Sequence, residues 1–201
     1  MIVKIVSMNK QFRKLLKNRA SFTSKEAKTF GISASQLAYY VNIGILERIS
    51  RGLYRNPRND LQVPTPWEDL VATVKSIPKG VICLVSALNI YEMTDEFPRE
   101  HWIAIPNNVW PKKRNHTKIM RLSNMALGKI KIKLGKESVW IFDQERTVID
   151  SFRFLSREIA IKALKIYLQK TPTHNPNFKK LSRYSEKLRY DISPYTEAIT
   201  T

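Results

Sequence analysis

The chain has 201 residues, of which 43% are hydrophobic and 10% aromatic, and this composition excludes a wholly disordered protein. A chain of this length suits two domains that each bury a core, and we predict two. Lys and Arg number 35 against 17 Asp and Glu, so the formal net charge of +18 favours a polyanionic partner, either nucleic acid or an anionic membrane. Half of the excess lies in residues 1–62, where 12 basic and 3 acidic side chains leave a net +9. The alternative is a basic surface that only maintains solubility.

The single cysteine and the apolar runs indicate where the protein works. Cys83 stands in an apolar run, permits no intrachain disulfide and is predicted to be a buried small hydrophobic residue, which fits a reducing compartment. The opening stretch, residues 1–6, is too short for the apolar region of a signal peptide, and no run approaches the roughly 18 apolar residues of a membrane span. We therefore expect a cytoplasmic protein without a membrane segment.

Two helices are predicted first along the chain. Apolar residues at i, i+3 and i+4 among basic ones place an amphipathic helix over residues 9–19. A capping box then runs from Thr23 to Glu26 and starts a second, short helix that ends near Gly31.

A third helix follows a tight turn at Gly31. The box from Ser33 to Gln36 starts it, and Gly44 ends it after Asn42 by adopting the left-handed conformation. Its buried face is predicted to contain Ala34, Leu37, Val41 and part of Tyr40. The outward residues are uncharged but able to form hydrogen bonds: Ser35, Gln36, Tyr39 and Asn42.

A basic hairpin completes this segment. Residues 45–49 and 52–55 are predicted to be two strands around the turn Ser50-Arg51-Gly52. Helix, short helix, turn, helix and hairpin form the order of a winged helix-turn-helix, whose third helix enters the major groove of DNA. Gln36 suits adenine, and the arginines of the hairpin suit phosphates or a minor groove. The residues predicted to contact DNA are Thr23, Lys25, Ser33, Ser35, Gln36, Tyr39, Asn42, Arg48, Arg51, Tyr54, Arg55 and Arg58. The alternative is a winged module that binds protein, with this polar face simply solvated.

The rest of the chain is predicted to form a larger second domain. We assign residues 1–56 to the winged helix-turn-helix, the proline-containing residues 57–66 to a linker, and residues 67–201 to the second domain, whose tail after about residue 171 is basic. The predicted helices are Trp67–Ser76, Val81–Met93 and about Glu145–Gln169. The predicted strands lie around Trp102–Ile105, Thr117–Leu122, Lys129–Leu134 and Ser138–Phe142.

These elements predict the α+β class, with a small, mostly antiparallel sheet and flanking helices. Basic and apolar residues alternate strictly along Lys129–Leu134, which predicts that one face of that strand is buried and the other presents three lysines.

The sequence offers little for catalysis. A restriction-type nuclease needs a D/E-x-K triplet, and the only one, Glu26-Ala27-Lys28, is committed to the second helix. The three histidines are scattered, and no phosphate-binding glycine motif occurs, so we expect no metal, no cofactor and no enzymatic activity.

Two charged clusters leave alternatives open. Asp143, Glu145 and Asp150 would suit Mg²⁺, but arginines follow at helical spacing, and we favour helix capping and surface pairing. In the loop beside Trp110, Lys112, Lys113 and Arg114 are either additional phosphate contacts or an ordinary solvated charge run.

Several runs carry a resemblance to a known family. Residues 22–27, Gly31-Ile32-Ser33 with Leu37, and the run from Gly44 to Arg55 with its R-G-L-Y resemble the N-terminal domain of the AbiEi antitoxins of type IV toxin–antitoxin systems. Residues 83–88, 94–98, 101–106 and 146–154 continue the resemblance, which covers most of residues 20–168. The tail after Thr171 lies outside it.

The resemblance implies a function that composition and spacing do not. It implies a transcriptional autorepressor that binds its own operator in double-stranded DNA through the winged domain. It also implies that the protein counters a nucleotidyltransferase-like toxin encoded beside it, in abortive infection by phage. This winged domain also occurs at the N-terminus of regulators that have no toxin partner. The first alternative is therefore a stand-alone regulator with a ligand-sensing or dimerisation domain, and a nuclease is the second. The oligomeric state is not predicted.

Overall fold

The computed structural model describes residues 10–18, 21–57, 67–96, 98–135, 137–169 and 175–200. The chain divides into two compact units. The first extends to Ile77 and includes Lys133–Glu137, and the second consists of Pro78–Ile132 and Ser138–Thr201. The predicted linker lies largely outside the described residues, since 58–66 are not described.

The first unit contains the predicted winged helix-turn-helix. Its elements are α1 (Lys10–Asn18), β1 (Ser21–Thr23), α2 (Ser24–Thr29), α3 (Ala34–Asn42), β2 (Glu47–Ser50), β3 (Leu53–Arg55) and α4 (Glu68–Ser76). The strands form a sheet in the order β1-β3-β2, and both pairings are antiparallel. The sequence did not predict β1, because three residues show no alternation. Its pairing with β3, with Phe22 opposite Tyr54, creates the strand.

Both predicted capping boxes are present and fix where α2 and α3 begin. The Thr23 hydroxyl accepts a hydrogen bond from the Glu26 N–H at 3.2 Å, and Glu26 accepts one from the Thr23 N–H at 2.7 Å. Ser33 and Gln36 repeat this arrangement at the start of α3. Gly44, with φ of +69°, follows the C-cap of α3, as predicted, in a conformation that disfavours other residues.

Aromatic rings dominate the core of the first unit. The ring of Phe12 meets that of Phe22 edge-on at 5.6 Å and stacks on Tyr40 at 5.6 Å, while Phe22 stacks on Tyr54. Each such pair stabilises a fold by about 0.5–1.5 kcal/mol beyond the burial of its surface. The positions of α1, α3 and the sheet within this unit are therefore fixed by contacts among a few rings.

Helix α4 is part of the first unit, although the sequence analysis assigned it to the second domain. It packs on β1. Lys75 near its end donates to the carboxylate of Glu26 at 3.0 Å and to that of Glu137 at 2.7 Å. A side chain that caps α2 is thus also an ion-pair partner of α4.

The Glu26 carboxylate should make the stability of the first unit depend on pH. Burial acts to raise its pKa, but the Thr23 N–H and the Lys75 ammonium outweigh burial and lower the pKa from 4.5 to about 2. Because the folded-state pKa is depressed, the stabilisation is present above the unfolded pKa and is lost as pH falls through 2. Relative to Glu26→Gln, the wild type should be more stable by roughly 2 kcal/mol at pH 6. Thermal unfolding followed by circular dichroism should show this difference shrinking between pH 4.5 and 2, and a difference independent of pH would contradict the assignment.

The second unit confirms the α+β class. Its elements are β4 (Val81–Ile82), α5 (Leu84–Ile90), β5 (His101–Ile105), β6 (Thr117–Arg121), β7 (Lys129–Leu134), β8 (Glu137–Phe142), α6 (Gln144–Phe154), α7 (Arg157–Leu168), α8 (Phe178–Leu188) and α9 (Ser193–Thr200). Residues 133–137, where β7 ends and β8 begins, are grouped with the first unit. The predicted strands β5 to β8 are present at their predicted places.

The five strands follow the order β6-β5-β4-β8-β7. The sheet is mixed rather than mostly antiparallel, since β4 is antiparallel to β5 but parallel to β8, and β5 is parallel to β6. The segment 106–116 gives the chain room to return before β6 begins, which a parallel neighbour requires.

Two predicted helices were wrong in extent. The apolar run Val81–Met93 is not one helix, because its first two residues form β4 in the middle of the sheet and only Leu84–Ile90 is helical. The helix predicted over Glu145–Gln169 is two helices, α6 and α7. The chain is extended at Leu155, and the Ser156 hydroxyl then caps α7 by accepting from the Ile159 N–H at 3.4 Å.

The alternating strand β7 is less buried than predicted. Ile130 is 38% exposed, and the other apolar residues of the strand are only half-buried. The reason is its place at the edge of the sheet. Lys129 and Lys131 lie over the exposed ring of Trp140 at 4.5 and 5.9 Å, so two of the three predicted lysines make cation–π contacts.

A charged network lies inside the second unit, where the sequence analysis expected surface pairing. Asp143 caps α6, as predicted, by accepting from the Arg146 N–H at 3.0 Å. Arg146 itself is fully buried, and its Nε donates to Asp150 at 2.7 Å. Arg153 binds the other oxygen of Asp150 at 2.7 Å. The predicted pairing is therefore confirmed for Asp150 with Arg146 and Arg153, but it is buried rather than at the surface. Arg157, also predicted to pair with these acids, donates to the Tyr190 hydroxyl instead.

Helix α8 completes this network. Lys180 bridges Asp143 at 3.0 Å and Glu145 at 2.8 Å, and Tyr184 donates to Asp143 at 3.1 Å. Burial raises the pKa of the Asp143 carboxyl. Burial would lower the pKa of Lys180, but its hydrogen bonds to the two carboxylates raise it. The three acids proposed as an alternative Mg²⁺ cluster are thus engaged in capping, ion pairs and hydrogen bonds.

Candidate nucleic-acid interface

Helix α3 presents an exposed polar face. Leu37 and Tyr40 are buried in the core of the first unit, and Val41 is half-buried. The residues predicted to point outward are all exposed: Ser35, Gln36, Tyr39 and Asn42. Ala34 was predicted on the buried face and is exposed, because it is the first residue of the helix, one turn before the buried Leu37. Tyr39 is the most prominent, with 59% of its surface accessible.

Gln36 has a structural partner that limits what it can offer to a base. Its carboxamide oxygen accepts a hydrogen bond from the Ser33 N–H at 2.9 Å, as part of the capping box. A bidentate contact with adenine uses both the oxygen and the NH₂ group of the carboxamide. While the capping bond is in place, Gln36 can offer only its NH₂ group. Ser33 and Ser35 are likewise linked by their hydroxyls at 2.8 Å.

Exposed cations stand on α2 and on the hairpin. Lys25 and Lys28 are exposed on α2, and Arg48 and Arg51 are exposed on β2 and the following turn. Gly52, with φ of +79°, completes the turn, and its carbonyl accepts from the Ser24 N–H at 2.8 Å. This bond ties the turn of the hairpin to the start of α2, so the wing is held on the helix-turn-helix.

Three further predicted DNA contacts are engaged within the protein. Tyr54 is buried in the core against Phe22, which argues against a DNA contact by its ring. Thr23 is half-buried and serves as the cap of α2. Arg55 is exposed but paired with Glu47 at 2.7 Å, and this hydrogen bond raises the pKa of the guanidinium. Arg58 lies outside the described residues.

Comparison with known families identifies this segment. Residues 13–57 match a family described as transcriptional regulator, AbiEi antitoxin. Over these residues, the winged helix-turn-helix is similar to that of the AbiEi antitoxin family. The resemblance predicted from the sequence is thereby confirmed over these residues, which run from within α1 to just beyond β3. A search of curated proteins gave no match.

The AbiEi match does not extend to the second unit, where the remaining predicted phosphate contacts lie. Lys112 and Lys113 are exposed in the segment between β5 and β6. Arg114 is half-buried, and burial lowers the pKa of its guanidinium. Two of the three side chains are therefore accessible to a polyanion.

The described residues contain neither a metal-binding cluster nor a membrane-spanning helix. Within the described ranges, His, Cys, Asp and Glu nowhere gather in threes in an arrangement that would hold a metal ion. In the same part of the chain, no helix combines the length and the apolar character needed to cross a bilayer.

Proposed function

We propose that this AbiEi-type regulator binds its own operator in duplex DNA through α3 and the wing, represses its promoter, and counters a nucleotidyltransferase-like toxin encoded beside it. One observation carries the DNA-binding part. The exposed, uncharged and hydrogen-bonding face of α3 lies in the same unit as the exposed cations of α2 and the wing. This combination suits a helix that contacts base edges and flanking basic groups that contact phosphates.

The geometry of the first unit supports this division between base and phosphate contacts. The two capping boxes fix the start of α2 and α3, and the bond from Ser24 to Gly52 holds the wing turn against α2. Arg48 and Arg51 then reach the backbone of the DNA, and the N-terminus of α3 attracts a phosphate. A fixed framework loses little entropy when it binds, which favours affinity.

The antitoxin role rests on the description of the matched family. We assign it to the second unit, since we propose that α1 to β3 bind DNA. We propose that it acts by contact and without catalysis or a cofactor. In support, the three acids that would suit Mg²⁺ are engaged internally: Asp143 caps α6, Glu145 accepts from Lys180, and Asp150 accepts from two arginines.

The proposal separates operator recognition from protection against the toxin. Tyr39→Ala with Asn42→Ala removes two exposed side chains of α3 and should abolish operator preference, because a good hydrogen-bonded base contact contributes about 1–3 kcal/mol of discrimination. A promoter–reporter fusion should be derepressed by this variant. Cells that make the adjacent toxin from a separate promoter should still be protected. Gln36 is left unchanged because it caps α3.

The full-length chain is used because a truncation after the wing would remove α4, which packs on β1. An unchanged circular dichroism melting curve is the control for folding. Repression that survives the double substitution would contradict recognition by α3. Failure of the wild type to protect against the neighbouring toxin, with repression intact, would favour a stand-alone regulator.

A further inference from the structure

Helix α3 exposes two alanines in addition to its polar residues. Ala34, Ala38 and Asn42 follow one another at i, i+4 and i+8, and all three are exposed. Ser35 and Tyr39 form the adjacent row. The outer face of α3 therefore carries two methyl groups among four hydrogen-bonding side chains, and the helix contains no charged residue.

The composition of α3 excludes the commonest specific contact between a protein and guanine. That contact is bidentate and comes from Arg or Lys, neither of which occurs in the helix. Gln36 offers a donor alone while its oxygen caps the helix. Ser35 and Tyr39 can hydrogen-bond to more than one base and carry no preference of their own. The groups of α3 that favour particular bases are the amide of Asn42, which suits the N6 and N7 atoms of adenine, and the methyl groups of Ala34 and Ala38, which suit the methyl group of thymine.

We propose that the operator presents A·T pairs to α3, with thymine methyl groups against Ala34 and Ala38 and an adenine edge at Asn42. The inference rests on the proposed function, since it names the bases that the same helix contacts. Small side chains at both positions let the helix backbone approach the floor of the groove closely. The thymine methyl projects into the major groove and is the apolar group that such an approach buries.

The test begins with selection of bound duplexes from a random pool by the full-length protein. The enriched sequence should carry A·T pairs at the positions that α3 contacts. Each thymine in that sequence is then replaced by uracil, which removes only the methyl group. One buried methyl corresponds to about a fourfold change in affinity, so one or two thymines should each show a decrease of this size.

Substitutions at the two alanines test whether their side chains make the contact with the thymine methyl group. Ala38→Ser and Ala34→Ser each place a hydroxyl where the methyl contact is made. Each variant should therefore bind duplexes with thymine or uracil equally well at one of the contacted positions. Ala198→Ser, at an exposed alanine of α9, is the matched control and should discriminate uracil from thymine as the wild type does. Equal melting temperatures of the three variants verify folding.

The outcomes distinguish this inference from the proposed function. Enrichment of G·C pairs, or equal affinity of the wild type for uracil- and thymine-containing duplexes, would overturn the methyl contact and leave DNA binding intact. Retention of the full uracil effect in both serine variants would also overturn it. If the full-length chain binds no duplex, the proposed function fails, and the inference fails with it.

Discussion

Replacing Arg146 by methionine should lower the free energy of unfolding of the second unit by about 3–5 kcal/mol. The side chain is fully buried and binds Asp150 at 2.7 Å and the carbonyl oxygens of Asn124 and Leu127 at 3.1 and 3.2 Å. Methionine fills similar space but leaves a buried carboxylate and two carbonyls short of a donor. Urea unfolding followed by tryptophan fluorescence measures the destabilisation, because Trp102, Trp110 and Trp140 all lie in this unit.

Two further variants distinguish the buried pair from its half-buried neighbour Arg153. The Arg153 side chain, the other partner of Asp150, is 21% exposed, so Arg153→Met should lower the free energy of unfolding by only about 1 kcal/mol. Arg146→Met combined with Asp150→Leu removes both buried charges and should recover much of the stability. A destabilisation as large for Arg153→Met as for Arg146→Met would show that burial does not set the cost.

Local signals in the sequence were sufficient to predict the helices and the hairpin of the winged helix-turn-helix. The capping boxes at Thr23 and Ser33, and Gly44 at its positive φ, lie where these residue types predict a helix start or end. Such signals act over three or four residues and need no distant contact. The strand β1 escaped prediction because a three-residue segment becomes a strand only when β3 is beside it.

In the second unit, tertiary contacts override local signals. The apolar run from Val81 fits a helix or a strand equally well. Its first two residues form a strand because they pair with β5 and β8 on either side. Ser156 and Glu158 carry a helix-start signal that would have divided α6 from α7. Burial of the Asp150 pairs depends on helices distant in the sequence, which no local pattern encodes.

The sequence predicts which face of α3 is exposed better than it predicts the exposure of each residue. Helical periodicity places Ser35, Tyr39 and Asn42 outward, as the structure does. It does not distinguish the first turn of α3, where Ala34 is exposed, from later turns. Nor does the sequence indicate that the ring of Tyr54 is buried against Phe22 by the pairing of β1 with β3.

Removing two charges from the wing should weaken binding to every duplex alike. Arg48→Ala with Arg51→Ala deletes two exposed guanidinium groups. A protein that neutralises about six to ten phosphates binds roughly 10³ to 10⁵ more weakly at about 200 mM than at about 50 mM salt, because salt opposes the release of counterions on binding. The wild type, with a net +9 over residues 1–62, should show such a steep dependence. The double variant should show a slope smaller by about 2, one for each phosphate that the wing no longer neutralises.

The most direct test of the central claim compares this variant with one that has the same charge removed elsewhere. Lys179→Ala with Arg183→Ala removes two exposed cations from α8 in the second unit. Fluorescence anisotropy of labelled promoter duplex at about 50 and 200 mM salt gives the affinity and salt slope of each full-length protein. If the winged unit binds DNA, the wing variant shows a lower affinity and a smaller slope while the α8 variant behaves as the wild type. Equal decreases in both variants would show that net charge, rather than the α3 and wing face, attracts DNA.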